Sequence, residues 1–406
     1  MKNKNTRATS FKFNRALAAL LLLAAISLHA QTSDAPFVHP GLLNTQQDYD
    51  RMRLMVAHKN SPWIDDWKYL RSNRHDSPAW KPNPQSIVVR GAGHANEREN
   101  YATLFNDIAS AYAAGLDWQV SGDKTAANKA VEILNAWSST LTAIHGTSDK
   151  YLASGIYGYE LACAAETVRN YPGWKPEDFK RFQQMMLRVF LPMNSDFLKN
   201  HNGGKIDHYW ANWDLSNIAS MMSIGILADR RDIYEAATDY YLHGDGNGSL
   251  HHMVWKVYDG GLGQWQEAGR DQPHSTMGVG IAGAICQMAW NQGDDLFGAD
   301  DNRFLKGAEY VAKYNLGGDV PYTVYTNSDV TQETIANKGR GGDRPIWELI
   351  YNHYVVLKGL PAPYVTQYAK KVRPEGGGGD YGPNSGGFDQ LGYGTLTFTL
   401  EPSLKK

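Results

Sequence analysis

Apolar side chains recur at every third or fourth position over most of the chain, which is the spacing of one face of an α-helix. Residues 124–140 illustrate the pattern, since Ile133, Leu134 and Trp137 share one face. The pattern predicts helices over residues 101–114, 124–140, 158–170, 176–197, 214–227, 232–242, 276–291, 303–314 and 345–357. The alternation of a half-buried strand is rare, and residues 395–400 are the best candidate for one.

These helices follow one another without a fixed repeat length, and glycine-rich loops rather than low-complexity linkers separate them. The succession of helix pairs favours an all-α fold, an (α/α) toroid, over a bundle or a regular helical repeat. We expect an incomplete barrel of roughly six to seven helical hairpins with little β-structure, near the C-terminus. One domain is expected over residues 31–406, with its active site in a cleft formed by loops at one end of the ring.

The N-terminus has the pattern of a secretory signal. An uncharged apolar run over residues 16–28, short for a membrane span, follows five basic residues: Lys2, Lys4, Arg7, Lys12 and Arg15. The pattern predicts a signal peptide over residues 1–30, and an uncleaved membrane anchor is the alternative. We therefore expect a periplasmic or secreted protein with no membrane segment after cleavage.

The composition narrows the class of partner. There are 40 Lys and Arg against 42 Asp and Glu, a net charge of −2, so nothing draws the chain to nucleic acid in general. The 12 Trp and 23 Tyr suit either a sugar-binding cleft or an aromatic core.

Cys163 and Cys286 lie in apolar, helix-like stretches, where an exported protein allows a disulfide or two buried thiols. The sequence contains no P-loop, His-Glu-x-x-His or Gly-x-Ser-x-Gly motif, and we expect no metal and no cofactor.

Residues 205–214, Lys-Ile-Asp-His-Tyr-Trp-Ala-Asn-Trp-Asp, concentrate polar and aromatic side chains just before a predicted helix. The candidates for a binding or catalytic role in this segment are His208, Tyr209, Asn212 and Trp213. The structural alternative makes Asp214 the cap of the helix, His208 a satisfied core histidine and Asn212 a turn residue.

Residues 263–278, Gly-Gln-Trp-Gln-Glu-Ala-Gly-Arg-Asp-Gln-Pro-His-Ser-Thr-Met-Gly, open the helix that runs on to Trp290. Pro273 suits a first helical turn, which places Arg270 and Asp271 in the loop before it. A helix N-terminus favours anions such as carboxylates. The polar side chains that converge there are Gln266, Glu267, Arg270, Asp271 and His274. A capping network with an Arg–Asp surface pair is the structural alternative.

Residues 319–327 carry Tyr322 and Tyr325 in a predicted loop, and the cation-rich stretch 338–344 follows. A tyrosine can act as an acid or base where neighbouring cations lower the pKa of its hydroxyl. Lys338, Arg340 and Arg344 are candidates for lining a subsite for an acidic ligand. The structural alternative is a solvated loop with packing tyrosines.

Together these segments resemble the alginate lyase superfamily. The resemblance covers residues 38–399 and rests on four features: the Asn-Trp pair before a helix, Gln-Glu-Ala-Gly-Arg-Asp-Gln-Pro-His-Ser, Asn-Arg-Phe-Leu-Lys-Gly-Ala-Glu-Tyr-Val-Ala-Lys-Tyr-Asn over 302–315, and the glycine-rich tail. It is nearest to the polysaccharide lyases of family 38, which cut alginate or glucuronan. The resemblance implies an α/α toroid and metal-independent β-elimination of a uronate polymer.

The reaction explains the residue types. A uronate C5 proton leaves only when the neighbouring carboxylate is neutralised, which an amide helped by His or Arg can do. A Tyr or His then removes the proton, and an acid protonates the departing O4. In mannuronate and glucuronate the C5 proton and O4 lie on the same side, so one tyrosine can serve as both base and acid.

Carried over to this chain, the resemblance assigns the neutralising role to Asn212, assisted by Arg270. It makes His274, one turn further on, a neutraliser or the base. Related lyases place their catalytic tyrosine about one to two turns beyond the arginine, where this chain has Met277. The tyrosine must therefore come from elsewhere, and Tyr325 is the preferred candidate.

Tyr209 and Tyr322 stand behind Tyr325 as alternatives for the base. The residues expected to bind substrate are His208, Tyr209, Trp213, Trp265, Gln266, Glu267, Lys338, Arg340 and Arg344.

Two other functions remain open from the sequence. A glycoside hydrolase on the same kind of toroid would draw its two carboxylates from Asp214, Glu267 and Asp271. A non-catalytic glycan-binding protein would use an aromatic cleft alone. In each case the expected partner is a polysaccharide, anionic for the lyase, and the chain is expected to be a monomer or a small homo-oligomer. The choice between mannuronate, guluronate and glucuronate stays open, as does endo or exo cleavage.

Overall fold

Helices dominate the structure, a computed structural model that describes residues 35–93, 97–385 and 388–400. The fifteen α-helices of this part of the chain are α1 Gln46–Ala57, α2 Trp63–Ser72, α3 Tyr101–Ser121, α4 Lys124–Thr140, α5 Asp149–Thr167, α6 Pro176–Met185, α7 Leu191–Asn200, α8 Ala211–Leu227, α9 Arg231–His243, α10 Leu250–Met253, α11 Gln272–Asn291, α12 Ala299–Asn315, α13 Trp347–Tyr351, α14 Pro363–Val372 and α15 Gly394–Phe398. Short 3₁₀ segments span Arg74–Asp76, His201–Gly203 and Gly378–Ser385, and π segments span Met186–Phe190 and Asn352–Leu357. The helical periodicity is therefore confirmed. The signal peptide predicted over residues 1–30 lies outside the described residues.

The helices pack as an inner ring with an outer layer. Around the ring α1 contacts α3, and the contacts continue through α5, α8, α11, α13 and α15 back to α1. The outer helices lie against this ring, with α4 on α3, α9 on α8, α12 on α11 and α14 on α13. Three fully buried tryptophans, Trp137, Trp265 and Trp347, fill space between the elements, so part of the aromatic excess is core. No described helix has the length and apolar character needed to cross a membrane.

Two glycines allow the close approach of α5 and α8 in the ring. An ideal Cβ on Gly155 would lie 2.8 Å from the Ser216 carbonyl carbon, and one on Gly158 would lie 2.1 Å from Ser220 Oγ. The predicted helix 158–170 in fact begins at Asp149 and runs through both glycines. Glycine is usually unfavourable inside a helix, but here the absent side chain is what lets the two helices meet.

The predicted helix 176–197 is helical throughout but not uniform in its hydrogen bonding. A π segment over Met186–Phe190 separates α6 from α7. Pro192 lies in the first turn of α7, and it has no N–H to continue an α-helical ladder. The extra residue in the π turn accommodates this interruption.

The strand suggested for residues 395–400 is not formed. Residues 395–400 begin within α15, where the Thr397 and Thr399 hydroxyls bond the carbonyls of the residues four positions earlier. The threonines that favoured a strand therefore bond back along the helix. The strands of the described chain lie elsewhere: β1 Ile87–Val89 pairs in parallel with β2 Ala143–His145, and β3 Val254–Val257 with β4 Gly263–Trp265 and β5 Tyr325–Thr326 with β6 Thr331–Gln332 pair antiparallel.

The two cysteines are free buried thiols. The Cys286 Sγ lies 3.2 Å from the Tyr241 hydroxyl on α9. An exported protein could have either a disulfide or two buried thiols at these positions, and the structure contains the two thiols.

The glycine contacts generate a stability prediction. Gly155→Ala should destabilise the fold by about 1–3 kcal/mol, because a new methyl group would collide with the backbone of α8. The matched control is Gly283→Ala on α11, where the nearest atom to an ideal Cβ is at 3.4 Å, an ordinary contact. That change should be neutral or stabilising by up to about 1 kcal/mol, since alanine favours helix over glycine. Equal free energies of unfolding for the two variants, measured by denaturant titration, would contradict this account of the α5–α8 contact.

Candidate active site

The site begins where strand β4 turns into helix α11. The Asp271 side chain caps α11 by accepting the His274 backbone N–H at 2.9 Å, and Pro273 lies in the first turn. Arg270 and Asp271 therefore precede the helix, as the position of Pro273 predicts. The cap and the proline fix the direction in which His274 leaves the helix.

A second helix, α8, begins at the same place. It starts at Ala211, three residues before the predicted start, and its N-cap residue Trp210 makes no capping bond through its side chain. Its first backbone N–H groups are instead satisfied by the turn before α11. Gln266 Oε1 accepts the Ala211 N–H at 3.1 Å, and Glu267 Oε2 accepts that of Asn212 at 3.2 Å. Segment 263–278 thus caps the helix that begins within segment 205–214, and this cap joins the two segments.

Glu267 holds this junction together. Its carboxylate is fully buried, and Oε1 accepts the Asn212 Nδ2–H at 2.5 Å and Arg270 Nη1–H at 2.8 Å. With the Asn212 backbone N–H on the other oxygen, three donors surround the carboxylate. Glu267 was expected to bind substrate, but both of its oxygens are occupied by these donors, so it positions other side chains rather than contacting a sugar.

His274 has one nitrogen fixed and the other directed at Arg270. Its Nδ1 lies 2.7 Å from Asp271 Oδ1, and its Nε2 lies 3.2 Å from Arg270 Nη2. A guanidinium can only donate, so Nε2 accepts and the proton of the neutral imidazole is on Nδ1, donated to Asp271. The side chain is 36% exposed, so Nε2 carries a lone pair in a ring that solvent and ligands can reach.

The partner carboxylate, Asp271, is almost completely buried. Burial disfavours its charged form, but the hydrogen bonds from the His274 side chain and backbone outweigh that effect and lower the pKa of Asp271. Asp271 is therefore an ionised hydrogen-bond acceptor that orients the imidazole.

Tyr325 joins the cluster through Gln266. Its hydroxyl accepts from Gln266 Nε2 at 2.8 Å and donates to Asn247 Oδ1 at 3.3 Å. Burial raises the pKa of Tyr325, against the lowering effect of its hydrogen bonds. A role for Tyr325 as the base would require nearby cations that lower its pKa. The raised pKa instead keeps the phenol protonated.

The cations expected to form one anionic subsite lie in three different surroundings. Lys338 is 80% exposed, with Nζ 3.9 Å from Asp271 Oδ2. Arg340 stacks on Tyr314 at 3.8 Å and donates to main-chain carbonyls. Arg344 is buried and paired with Asp389 at 3.0 Å. Of the three, Lys338 alone combines exposure with proximity to the His274 cluster, and the expectation that all three line one subsite is wrong.

The aromatic side chains of the two segments also differ in how far they are buried. Trp265 is fully buried against Gly278 and Gly307, which leaves its ring no free face for a sugar and corrects that expectation. Tyr209 and Trp213 pack against each other and are nearly buried. Trp210 keeps a partly exposed ring beneath the guanidinium of Arg270, 5.0 Å from its carbon.

His208 and Tyr322 lie at the edge of the cluster. His208 is exposed and pairs with Asp329 at 2.7 Å, on the loop between β5 and β6. The Tyr322 hydroxyl donates to the Gln332 carbonyl at 2.9 Å, so it is tied to strand β6.

A supporting network that the sequence did not predict lies behind α8. Asp214 is not the helix cap that the sequence suggested; it is buried, pairs with His201 Nε2 at 2.9 Å and accepts the Gly248 N–H at 2.9 Å. Asn247, beside Gly248, donates to the carbonyls of Asp207 and Tyr209 and accepts from Tyr325. The glycine-rich loop 243–249 is visible in the sequence, but its role depends on contacts with residues far away along the chain.

Solved structures of known proteins share the fold of this chain. Alginate lyase A1-III from Sphingomonas species A1 superposes with a TM-score of 0.60 at 15% identity, over 92% of this chain and 100% of that one. A histidine-to-alanine variant of alginate lyase A1-III complexed with a tetrasaccharide gives 0.59 at 14% identity, over 92% and 99%. An alginate lyase from Bacteroides ovatus gives 0.53 at 12% identity, over 90% and 100%. These likenesses show the fold, and the expected α/α toroid is confirmed.

No curated protein sequence matches the chain significantly. The sequence model of the family described as alginate lyase matches residues 56–320, which is more than half of the chain. The protein therefore belongs to the alginate lyase family and is a polysaccharide lyase.

Proposed function

We propose that this polysaccharide lyase is exported and cleaves a uronate polymer, alginate or glucuronan, by β-elimination between C4 and C5 without a metal. The observation that carries the proposal is the cluster of Asn212, Arg270 and His274 around two buried carboxylates. It combines donors for a substrate carboxylate with a base, which are the two requirements of this elimination. A solved relative in complex with a tetrasaccharide supports an oligomeric sugar as substrate, and the basic and apolar pattern of residues 1–30 supports export.

Arg270 and Asn212 neutralise the substrate carboxylate in this proposal. Both donate to Glu267 in the free protein, so their N–H groups are held in position before a ligand arrives. Charged and amide donors placed in advance stabilise the charge that develops as the C5 proton leaves. Because these protein groups supply the stabilisation, the step requires no metal ion.

His274 removes the C5 proton. Asp271 accepts the Nδ1–H, so the lone pair on Nε2 is available once the substrate carboxylate takes the Arg270 Nη2–H from His274, while Nη1 stays on Glu267. The electrons of the C5–H bond form the C4–C5 double bond, and the C4–O4 bond breaks. Tyr325, with its raised pKa, is better suited to protonate the departing O4 than to act as the base.

The position of the carboxylates disfavours the glycoside hydrolase alternative. Hydrolysis needs two carboxyl groups on opposite sides of the scissile bond. Glu267 and Asp214 are fully buried and held by Arg270 and His201, respectively. Asp271 is committed to His274 and to capping α11.

The first test is product chemistry. Poly-mannuronate, poly-guluronate and glucuronan are each incubated with the mature protein, and ultraviolet absorbance of the unsaturated product is followed. We expect absorbance to rise on at least one uronate polymer and not on a neutral mannan control. New reducing ends without absorbance would indicate a hydrolase, and saturable binding without any cleavage would indicate a glycan-binding protein.

The second test separates the roles of His274 and Tyr325. His274→Gln should lower kcat by about 10²–10⁴-fold, since it removes the proposed base. Its thermal stability should change little, because the ring is partly exposed and the glutamine amide can donate to Asp271 in place of Nδ1–H. Tyr325→Phe should also lower kcat if the phenol protonates O4, and its loss should be smaller on a substrate with a better leaving group at C4.

The matched control for these variants is His58→Gln, at an exposed position that follows α1. It should have the kcat of the unaltered protein. A normal rate for Tyr325→Phe would remove Tyr325 from the mechanism, and a normal rate for His274→Gln would remove the proposed base.

The lowered pKa of Asp271 leads to a prediction about pH. A carboxyl group whose pKa is lower in the folded than in the unfolded state stabilises the fold above its unfolded pKa, about 3.9. This contribution is lost as pH falls through the folded value. Asp271→Asn should therefore lower the free energy of unfolding at neutral pH, and the difference from the unaltered protein should shrink below about pH 4.

Denaturant titrations at a series of pH values measure that difference. Asp301→Asn is the control, since the Asp301 side chain is 85% exposed and its surface ion pair should contribute little. A difference for Asp271→Asn that stays constant from neutral to acidic pH would contradict the assignment of Asp271 as an ionised partner of His274.

A further inference from the structure

Residues 37–44 form an irregular segment, which we call the strap, at the opposite end of the toroid from the candidate active site. Helices α8 and α11 begin at that site, and the strap contacts the residues at or just beyond their other ends. At the end of α11, Asn291 Nδ2–H donates to the Leu42 carbonyl and Gln292 Nε2–H to the Gly41 carbonyl, both at 2.7 Å. The strap therefore joins the start of α1 to the far ends of other inner helices.

His39 of the strap lies between two carboxylates. Its Nδ1 lies 2.5 Å from Oε1 of Glu166, the last residue but one of α5. Its Nε2 lies 3.0 Å from Oδ1 of Asp229, in the turn after α8. An ionised carboxylate can only accept, and a neutral imidazole has a single N–H, so the two hydrogen bonds exist together only when the ring is an imidazolium.

The charges around His39 balance when its ring is protonated. The charged groups that face it are the carboxylates of Glu166 and Asp229 and the guanidinium of Arg169. Arg169 lies 3.6 Å from Glu166 and 2.9 Å from Asp229, so it helps to keep both carboxylates ionised. These three groups carry one net negative charge, which an imidazolium cancels. Burial disfavours the charged ring, but the hydrogen bond and charge of Glu166 outweigh burial and raise the pKa of His39.

The position of the ring at two helix ends also favours a cation. Glu166 and Asp229 lie where α5 and α8 end, and the free carbonyls at the end of a helix give it a partial negative charge. A histidine cation near such an end is stabilised, most strongly where it is partly buried. The His39 side chain is 14% exposed. The neighbouring cation on α9, Arg231, has its guanidinium 3.8 Å from the ring of Phe37 in the strap.

We propose that His39 is a pH-sensitive fastening of the strap, bonded to both Glu166 and Asp229 as an imidazolium and to Glu166 alone once the ring has lost a proton. The remaining N–H stays on Nδ1, because Glu166 is 1% exposed and a buried carboxylate is costly to leave unpaired. Asp229 is the partner released, since it is 54% exposed and keeps Arg169 at 2.9 Å. This device is independent of the proposed lyase reaction.

The first test measures stability against pH. The pKa of His39 is about 6.5 in the unfolded chain and higher in the fold, so the fastening stabilises the fold fully below about pH 6.5. The contribution is lost as pH rises through the folded pKa. His39→Gln should raise the equilibrium constant of unfolding by about tenfold or more below about pH 6.5, since it removes charge-assisted hydrogen bonds. The difference from the unaltered protein should shrink in alkaline buffer. Denaturant titrations measure it, with the exposed His58→Gln as matched control.

The second test follows the ring itself by NMR of the mature protein with ¹⁵N-labelled histidine. We expect both ring nitrogens of His39 to be protonated at about pH 6 and Nδ1 alone to remain protonated in alkali. Asp229→Asn identifies the His39 signals, because loss of the facing charge should move the titration to lower pH. This variant should keep the backbone of the turn, since Asp229 has a φ of 55°, which asparagine adopts readily.

The outcomes divide clearly. A His39 titration above pH 6.5 that Asp229→Asn lowers, with Nδ1 protonated in the neutral ring, supports the proposal. A ring that is already neutral at about pH 6, that keeps its last proton on Nε2, or that Asp229→Asn leaves unmoved overturns it, even if His39→Gln fails to fold. A stability difference for His39→Gln that is the same in acid and alkali also overturns it. A protein inactive on every uronate polymer would contradict the lyase proposal without affecting this one.

Discussion

The candidate active site depends on one buried carboxylate. Glu267 accepts hydrogen bonds from the backbone and side chain of Asn212 and from the guanidinium of Arg270. A buried charge without partners would be very costly, so the fold that places Glu267 there must also bring these donors to it. The same three bonds fix the start of α8, the turn before α11 and the two groups proposed to meet a substrate carboxylate.

The toroid supplies the rigidity that this arrangement needs. Helices α8 and α11 are neighbours in the inner ring, and their side chains are buried along most of their length. The cluster thus lies on the ends of packed helices rather than on a free loop. Tyr325 differs in this respect, because it is carried by the short strand β5 and reaches the cluster through Gln266 and Asn247.

Periodicity was sufficient to predict the helices and the class of fold, because an amphipathic helix shows its buried face in the order of its residues. It was not sufficient where a tertiary contact reverses a local preference. Gly158 is the predicted start of a helix, but it lies inside α5. Ser220 of α8 occupies the space that a side chain at this position would need. The threonines at 395–399 suggested a strand but bond back along a helix. For the site, sequence identified the segments that meet, whereas the environments of Trp265, Arg340 and Arg344 could be learned only from their packing.

The cap that α8 receives from Gln266 and Glu267 has a consequence for the order of folding. The capping residues lie 55 positions after the N–H groups that they satisfy. A chain that has formed α8 but not yet docked the β3–β4 hairpin has an unsatisfied first turn at Ala211 and Asn212. That turn is capped only when a loop of this length has closed, which costs conformational entropy. The cap of α8, and with it the arrangement of Asn212 and Arg270 around Glu267, therefore forms only after this loop has closed.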